Sequence, residues 1–374
     1  MGYPRHQVGL LIFRQGVALA GAAALLCGCR GAAAPAAVPP TPLPVALATE
    51  PCGEDADDPA IWVNRASPTE SRVFATNKAA APEGALVAYT LEGRVRQRVD
   101  GLDRPNNVDI EYGLRLGGQE ADIAVVTERY QRRLRVFRIG PDGGLLDVSS
   151  PDGLRVFEGE PGERGAPMGV SLFRRGADGA VFAIVSRKEM PTTGGLWQYL
   201  LEDDGHGRVR AVKVRELGTI DAGSEVEAVV VDDALGFVYY AEEPKAIHKW
   251  HADPDHPQAA AELARLATTG FRGDREGLAV FGRADGTGYL LATDQLPGVS
   301  RYLVFRREGK AGAPHDHSET FAVLDGGADA TDGLDVTTEP LGPLFPGGLA
   351  VAMNSRGRNF LFYRPEDLGL AAKN

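Results

Sequence analysis

Apolar and polar positions along the chain fall into three kinds of segment that recur in a fixed order. The first is an apolar run that opens beside acids or amides. Its copies are Asp57-Asp58-Pro59-Ala60-Ile61-Trp62-Val63, Asn106-Asn107-Val108-Asp109-Ile110, Met168-Gly169-Val170-Ser171-Leu172-Phe173, Glu225-Val226-Glu227-Ala228-Val229-Val230, Asp274-Arg275-Glu276-Gly277-Leu278-Ala279-Val280 and Asp332-Gly333-Leu334-Asp335-Val336. The second is an apolar stretch that closes on polar residues, at Asn77-Lys78, Glu128-Arg129, Lys188-Glu189, Glu242-Glu243, Asp294-Gln295 and Asn354-Ser355. The third alternates and carries an aromatic: Tyr89, Phe137, Tyr199, Trp250, Phe305 and Tyr363. Short runs of this kind, bounded by turns such as Glu92-Gly93 and Asp142-Gly143, predict strands rather than helices.

The aromatics lie 48, 62, 51, 55 and 58 residues apart, a propeller blade plus loop insertions. The predicted fold is therefore all-β: a six-bladed β-propeller with mostly four-stranded antiparallel blades. A fourth, outer strand follows in the first five blades, for example over 209–214 and 320–324. After Tyr363 only eleven residues remain, and Pro365-Glu366-Asp367-Leu368 does not read as a strand. The extended stretch 44–49 is expected to supply the missing outer strand, which would close the ring and remove a bare sheet edge.

This topology places chemistry. In an antiparallel blade the start of the first strand lies beside the end of the second. One end of the propeller should therefore collect Asp57, Asp58, Asn107, Asp109, Glu225, Glu227, Asp274, Glu276, Asp332 and Asp335. The same end should collect Lys78, Arg129, Lys188, Glu189, Glu242, Glu243, Asp294 and Gln295. Crowded carboxylates repel one another unless cations sit among them. The donors are all oxygens, without histidine or cysteine, which points to several hard cations and to calcium before magnesium or zinc. Lys78, Arg129 and Lys188, from three consecutive blades, read as an anion site beside that metal, since Arg grips two phosphate oxygens at once. Together they suggest metal-assisted hydrolysis, with Lys78, Arg129, Lys188, Glu189 and Glu227 as the candidate catalytic set. None of the common nucleophile or phosphate-loop motifs (GxSxG, GxxxxGK[ST], HExxH) occurs.

Upstream of the repeats the chain changes character. Arg5 and Arg14 precede an apolar run too short to span a bilayer, which ends in Leu26-Cys27-Gly28-Cys29. Residues 1–29 are expected to be an export signal with a lipobox and Cys29 as the lipidated residue. An Ala/Pro-rich tether over 30–43 and one propeller domain over 44–374 follow. The expected location is the bacterial cell envelope, as an outer-membrane or periplasmic lipoprotein, or outside the cell. The membrane is then met only through the lipid. The net charge of −11 repels nucleic acids and anionic headgroups, so a polyanionic substrate needs recruited cations. Cys52 is the one cysteine of the expected mature body, so no internal disulfide forms there. A monomer is expected.

These motifs, in this order, resemble the alkaline β-propeller phytases, from Glu50 to Asp367. The segments that carry the resemblance include Asp57-Asp58-Pro59-Ala60-Ile61-Trp62, Thr76-Asn77-Lys78, Asn106-Asn107-Val108-Asp109-Ile110, Ala241-Glu242-Glu243 and Thr331-Asp332-Gly333-Leu334-Asp335-Val336. The resemblance implies calcium-dependent release of phosphate from calcium-phytate by direct attack of a metal-bound water. It implies phosphate contacts at Lys78, Arg129 and Lys188. It implies calcium ligation by Asp57, Asp58, Asp109, Glu227, Glu243, Asp274, Glu276 and Asp332, with Gln295 and Glu50 as outer members. Asn107, on the same rim, completes the expected metal set. Three departures stand out: Met168 where the family has a phosphate-binding tyrosine, Ala79 where it has a second lysine, and Met353 and Arg356 where it has polar ligands. The alternatives are another calcium-dependent propeller hydrolase (a lactonase or phosphodiesterase) and a non-catalytic calcium-binding envelope propeller.

Overall fold

The computed structural model describes residues 39–151 and 154–370. The export segment, Cys29 and most of the tether lie outside the described residues. The three strand types line up as blades because each third-strand aromatic is buried: Tyr89, Phe137, Tyr199, Trp250, Phe305 and Tyr363 are each at most 5% exposed. They pack between neighbouring sheets, where burying an aromatic contributes about 2–3 kcal/mol.

Six antiparallel sheets result. From the axis outward, blade 1 runs Ala56–Trp62, Arg72–Asn77, Gly84–Tyr89 and Val95–Leu102. Blade 2 runs Pro105–Leu116, Gln119–Glu128 and Arg133–Ile139, with a split outer edge at Leu145–Asp147 and Leu154–Arg155. Blade 3 runs Pro167–Arg174, Val181–Arg187, Thr193–Asp203 and Val209–Thr219. Blade 4 runs Val229–Asp232, Phe237–Glu242, Ala246–His251 and Ala264–Leu266. Blade 5 runs Leu278–Gly282, Gly288–Asp294, Arg301–Arg306 and Thr320–Asp325. Blade 6 runs Leu334–Thr337, Leu349–Asn354 and Asn359–Tyr363. Each innermost strand neighbours that of the next blade, and the sixth returns to the first. The chain is a six-bladed β-propeller.

Leu47–Ala48 supplies the outer strand of blade 6, pairing antiparallel with Phe362 and Leu361 as expected. The N-terminal segment does more than the sequence suggested. Thr41–Pro42, expected in the tether, pairs in parallel with the outer edge of blade 5. Leu43 buries its side chain there, which explains why the ordered edge begins before residue 44. Further on, the Glu50 carboxylate accepts from Val95 N at 2.7 Å and pairs with Arg94 on blade 1. One strap thus ties blades 5, 6 and 1.

In blades 4 to 6 the inner strands begin only at Val229, Leu278 and Leu334, after the acids that were expected to open them. The acids there sit on turns pressed against the axis. Glycine makes that approach possible: a Cβ at Gly169 would lie 1.8 Å from Glu227 O of the next blade.

Candidate active site

Each second strand ends in two residues whose side chains point opposite ways, as the pleat requires. The first of the pair turns into the blade and grips the loop that enters the axis. Asn77 Oδ1 accepts from Asp55 N (3.0 Å), Glu128 Oε1 from Asp103 N (2.9 Å), and Asn354 Oδ1 from Asp329 N (3.0 Å). Asp294 Oδ1 accepts from Arg272 N and Gly273 N (2.8 and 2.7 Å). Glu242 Oε1 accepts from Asp221 N and Ser224 Oγ (2.9 and 2.7 Å). Arg187 does the reverse, donating to Gly195 O at 2.8 Å. Glu242 and Asp294 were expected on the rim; the pleat makes them clamps instead. Alternation along the strand was the signal that could have separated the two roles.

The second residue of each pair faces the mouth. Lys78 Nζ contacts Asp57 and lies 3.6 Å from both Glu227 Oε1 and Asp332 Oδ2. Burial alone would lower the Lys78 ammonium, but these three carboxylates outweigh it and hold it above its ordinary value. Glu243 joins Glu227 and Glu276: one carboxylate oxygen from each lies within 4.8 Å of the others. Burial first, and then the neighbouring acids, push Glu243 up to about 8 and Glu276 to about 9. Asp332 is raised to about 7, again mainly by burial, although Lys78 opposes the shift. Gln295 donates to Asp332, and Asp274 adds its charge beside Glu243 and Glu276.

Asn106 was not among the candidate residues, yet it is fully buried at the centre of this set. Its Nδ2 donates to Glu227 Oε1 at 2.5 Å and to Asn107 Oδ1 at 3.0 Å, while its Oδ1 accepts from Arg129. Its place beside Asn107 at a strand start hinted at the role, but nothing in one sequence separates the orienting amide from the facing one. Arg129 also contacts Met168 Sδ, so the methionine walls the guanidinium rather than offering a polar atom.

Other candidates lie apart. Lys188 pairs with Glu225, and both charges act on Glu243 at the edge of the carboxylate cluster; Glu189 is 58% exposed and pairs with Arg164 at 3.1 Å. Glu50 belongs to the strap. Met353 is buried, and Arg356 is 72% exposed and 3.8 Å from Asp329.

A second tier of acids sits deeper in the channel, around a cavity of about 40 Å³. Asp58 Oδ2 accepts from Val108 N (3.0 Å) of blade 2, Asp109 Oδ2 from Leu172 N (2.7 Å) of blade 3, and Asp335 Oδ2 from Ile61 N (2.8 Å) of blade 1. These carboxylates stitch neighbouring inner strands together. Burial pushes Asp109 up to about 6 and Asp335 to about 7.

The arrangement fits a hard cation. Asp57 is fully buried, and the Lys78 ammonium against its Oδ1 is shared with Glu227 and Asp332, one positive charge among three carboxylates. Glu227, Glu243 and Glu276 converge without enough donors to satisfy them, and every available ligand atom is an oxygen.

The sequence matches the family model described as Phytase over residues 38–359. It is also 34% identical over 313 residues to the 3-phytase of Bacillus subtilis (strain 168), an alignment covering 81% of this chain and 75% of that protein.

Proposed function

The chain belongs to the phytase family and is a phosphoric monoester hydrolase, and from that premise we propose that it releases phosphate from phytate in a calcium-dependent reaction at the channel mouth. The observation that carries the proposal is the trio Glu227, Glu243 and Glu276, converging within 4.8 Å beside Lys78 and Arg129. Such a trio is stable when ionised only with cations between its members, and a hexakisphosphate brings the opposite need.

Asp57, Glu227, Glu243, Asp274, Glu276, Gln295 and Asp332 would hold calcium at the mouth. Asp58, Asn107 and Asp109 would extend the set downward. Calcium bound there supplies Lewis acidity toward a phosphoryl oxygen and toward water. The protein's own groups do the rest. Asn106 fixes the Glu227 carboxylate and the Arg129 guanidinium relative to each other. Lys78 offsets part of the charge of Asp57, Glu227 and Asp332, and with calcium among those acids its ammonium would be available to substrate phosphate. Arg129 offers two donors to phosphoryl oxygens where charge accumulates in the transition state. Lys188, freed from Glu225, reaches a phosphate from blade 3, and Glu189 tunes that edge. The runs around Arg5, Arg14 and Leu26 to Cys29 support export and lipidation at Cys29, which we propose as its route to the cell envelope.

Phosphate release from phytate, measured with calcium and with a chelator, tests this. Release is expected only with calcium; equal release in chelator would overturn the calcium assignment, and no release in either would overturn the substrate.

A further inference from the structure

Arg104 stands where the loop from blade 1 enters blade 2, and its backbone is the most constrained at the mouth. Its φ is +56°, in the left-handed region that costs a side-chain-bearing residue free energy. It also precedes Pro105, whose ring further narrows what the preceding residue can adopt. Of the described non-glycine residues with positive φ, it alone precedes a proline. Two hydrogen bonds hold it there: Arg104 N donates to Ala79 O (3.0 Å) and Arg104 O accepts from Arg129 N (3.1 Å). The strained residue is thus fixed between the residue after Lys78 and Arg129 itself.

The side chain follows the backbone. Arg104 Nη1 is 3.5 Å from the Lys78 carbonyl, and the guanidinium carbon is 5.7 Å from the ring centroid of Tyr130, which is 57% exposed. Among the described residues no carboxylate lies within 4.0 Å of Arg104 or of Arg129. Burial lowers Arg129; Glu227, Asp57 and Glu163 oppose that shift, and Arg104 adds to it as a neighbouring like charge. In a chain with a net charge of −11, two neighbouring guanidiniums without a direct carboxylate partner, one of them held by a strained turn, form a place for an anion from outside.

We propose that Arg104 is a substrate-binding residue, which holds a phosphate group of the polyphosphorylated substrate beside the one engaged by Lys78 and Arg129. The proposal rests on the phytase reading of the same mouth. Because Arg104 makes no ion pair with Glu227, Glu243 or Glu276, its contact to a neighbouring phosphate is taken to be made equally in the bound substrate and the transition state. Uniform binding of that kind lowers KM without raising kcat.

The test is steady-state kinetics on phytate, in calcium, for Arg104→Gln, Arg104→Lys and Arg104→Gly, with melting temperatures alongside. Losing a charge-assisted contact to phosphate should raise KM about tenfold or more for Arg104→Gln, with kcat falling far less. Arg104→Lys should recover part of the loss, since a point charge replaces the two-pronged one. Arg104→Gly should show the same KM defect but melt no lower than wild type, because glycine accepts this φ without strain. A wild-type KM in Arg104→Gln, or a KM defect that tracks a lowered melting temperature across all three variants, would overturn the assignment. Absence of phosphate release by the wild-type protein would instead strike the functional reading on which it rests.

Discussion

Two tiers of acids line one channel, and they are solved differently. In the lower tier Asp58, Asp109 and Asp335 each accept a backbone N–H from the neighbouring blade. In the upper tier Asp57 shares one ammonium, Lys78, with Glu227 and Asp332, and Glu227, Glu243 and Glu276 face one another. In blades 1 and 6 the two tiers begin as acids beside the same inner strand, one residue apart at Asp57 and Asp58 and three apart at Asp332 and Asp335. The lower acids tie the ring together through those N–H donors, which offset part of the rise that burial imposes on them. The upper acids are left for something the chain does not supply. Conservative removal of a charge should therefore cost the upper tier activity and the lower tier stability.

The largest effect is expected from Glu227→Gln. The amide keeps the shape and the acceptor for Asn106 but removes the charge. Phosphate release should fall about a hundredfold or more, as losses of metal-site and transition-state electrostatics do. In chelator near pH 9, where Glu243 and Glu276 ionise as well, the variant should melt higher than wild type, because one of three mutually repelling carboxylates is gone. A variant that melts lower in chelator would erase the distinction between the tiers.

Next comes Asp335→Ala in the lower tier. It strands the N–H groups of Ile61 and Val336, which the carboxylate accepts at 2.8 and 2.7 Å. An unsatisfied buried donor costs about 1–3 kcal/mol. Denaturant unfolding should show that loss equally with and without calcium; a loss seen only with calcium would move Asp335 into the metal set.

The sequence made the ring legible and the tiers illegible, for a physical reason. Blade count, strand order and closure by Leu47–Ala48 all follow from hydrophobic period and turn spacing, which many residues specify together. A side chain's role depends on one alternation and on donors from another blade. Glu242-Glu243 and Asp294-Gln295 read as pairs of rim residues, but the pleat sends Glu242 and Asp294 into the blade. Asn106 and Asn107 are indistinguishable in the chain, and only the contact with Glu227, more than a hundred residues away, separates them. The pairing of Thr41–Pro42 with blade 5 had no period to announce it, since two residues carry none.

A smaller effect should appear in the pH dependence of the metal-free protein. Asp332, Glu243 and Glu276 are raised to about 7, 8 and 9 in the folded chain, from ordinary values of 3.8 and 4.5. The folded state then binds more protons than the unfolded state between about pH 5 and 9. Stability must fall as pH rises through that window. Melting temperature in chelator should decline from pH 5 to pH 9, and calcium, which competes with those protons, should flatten the decline. An upward slope in chelator would mean that the upper carboxylates have partners of their own.

The most direct test of the account is thermal melting at pH 8 in calcium and in chelator, for wild type and Glu227→Gln. Calcium at a hundred times its dissociation constant stabilises by about 2.7 kcal/mol, so wild type should gain roughly 5 °C or more, and Glu227→Gln should lose most of that gain. Identical wild-type melts in calcium and in chelator would contradict the reading of the upper tier as a calcium site.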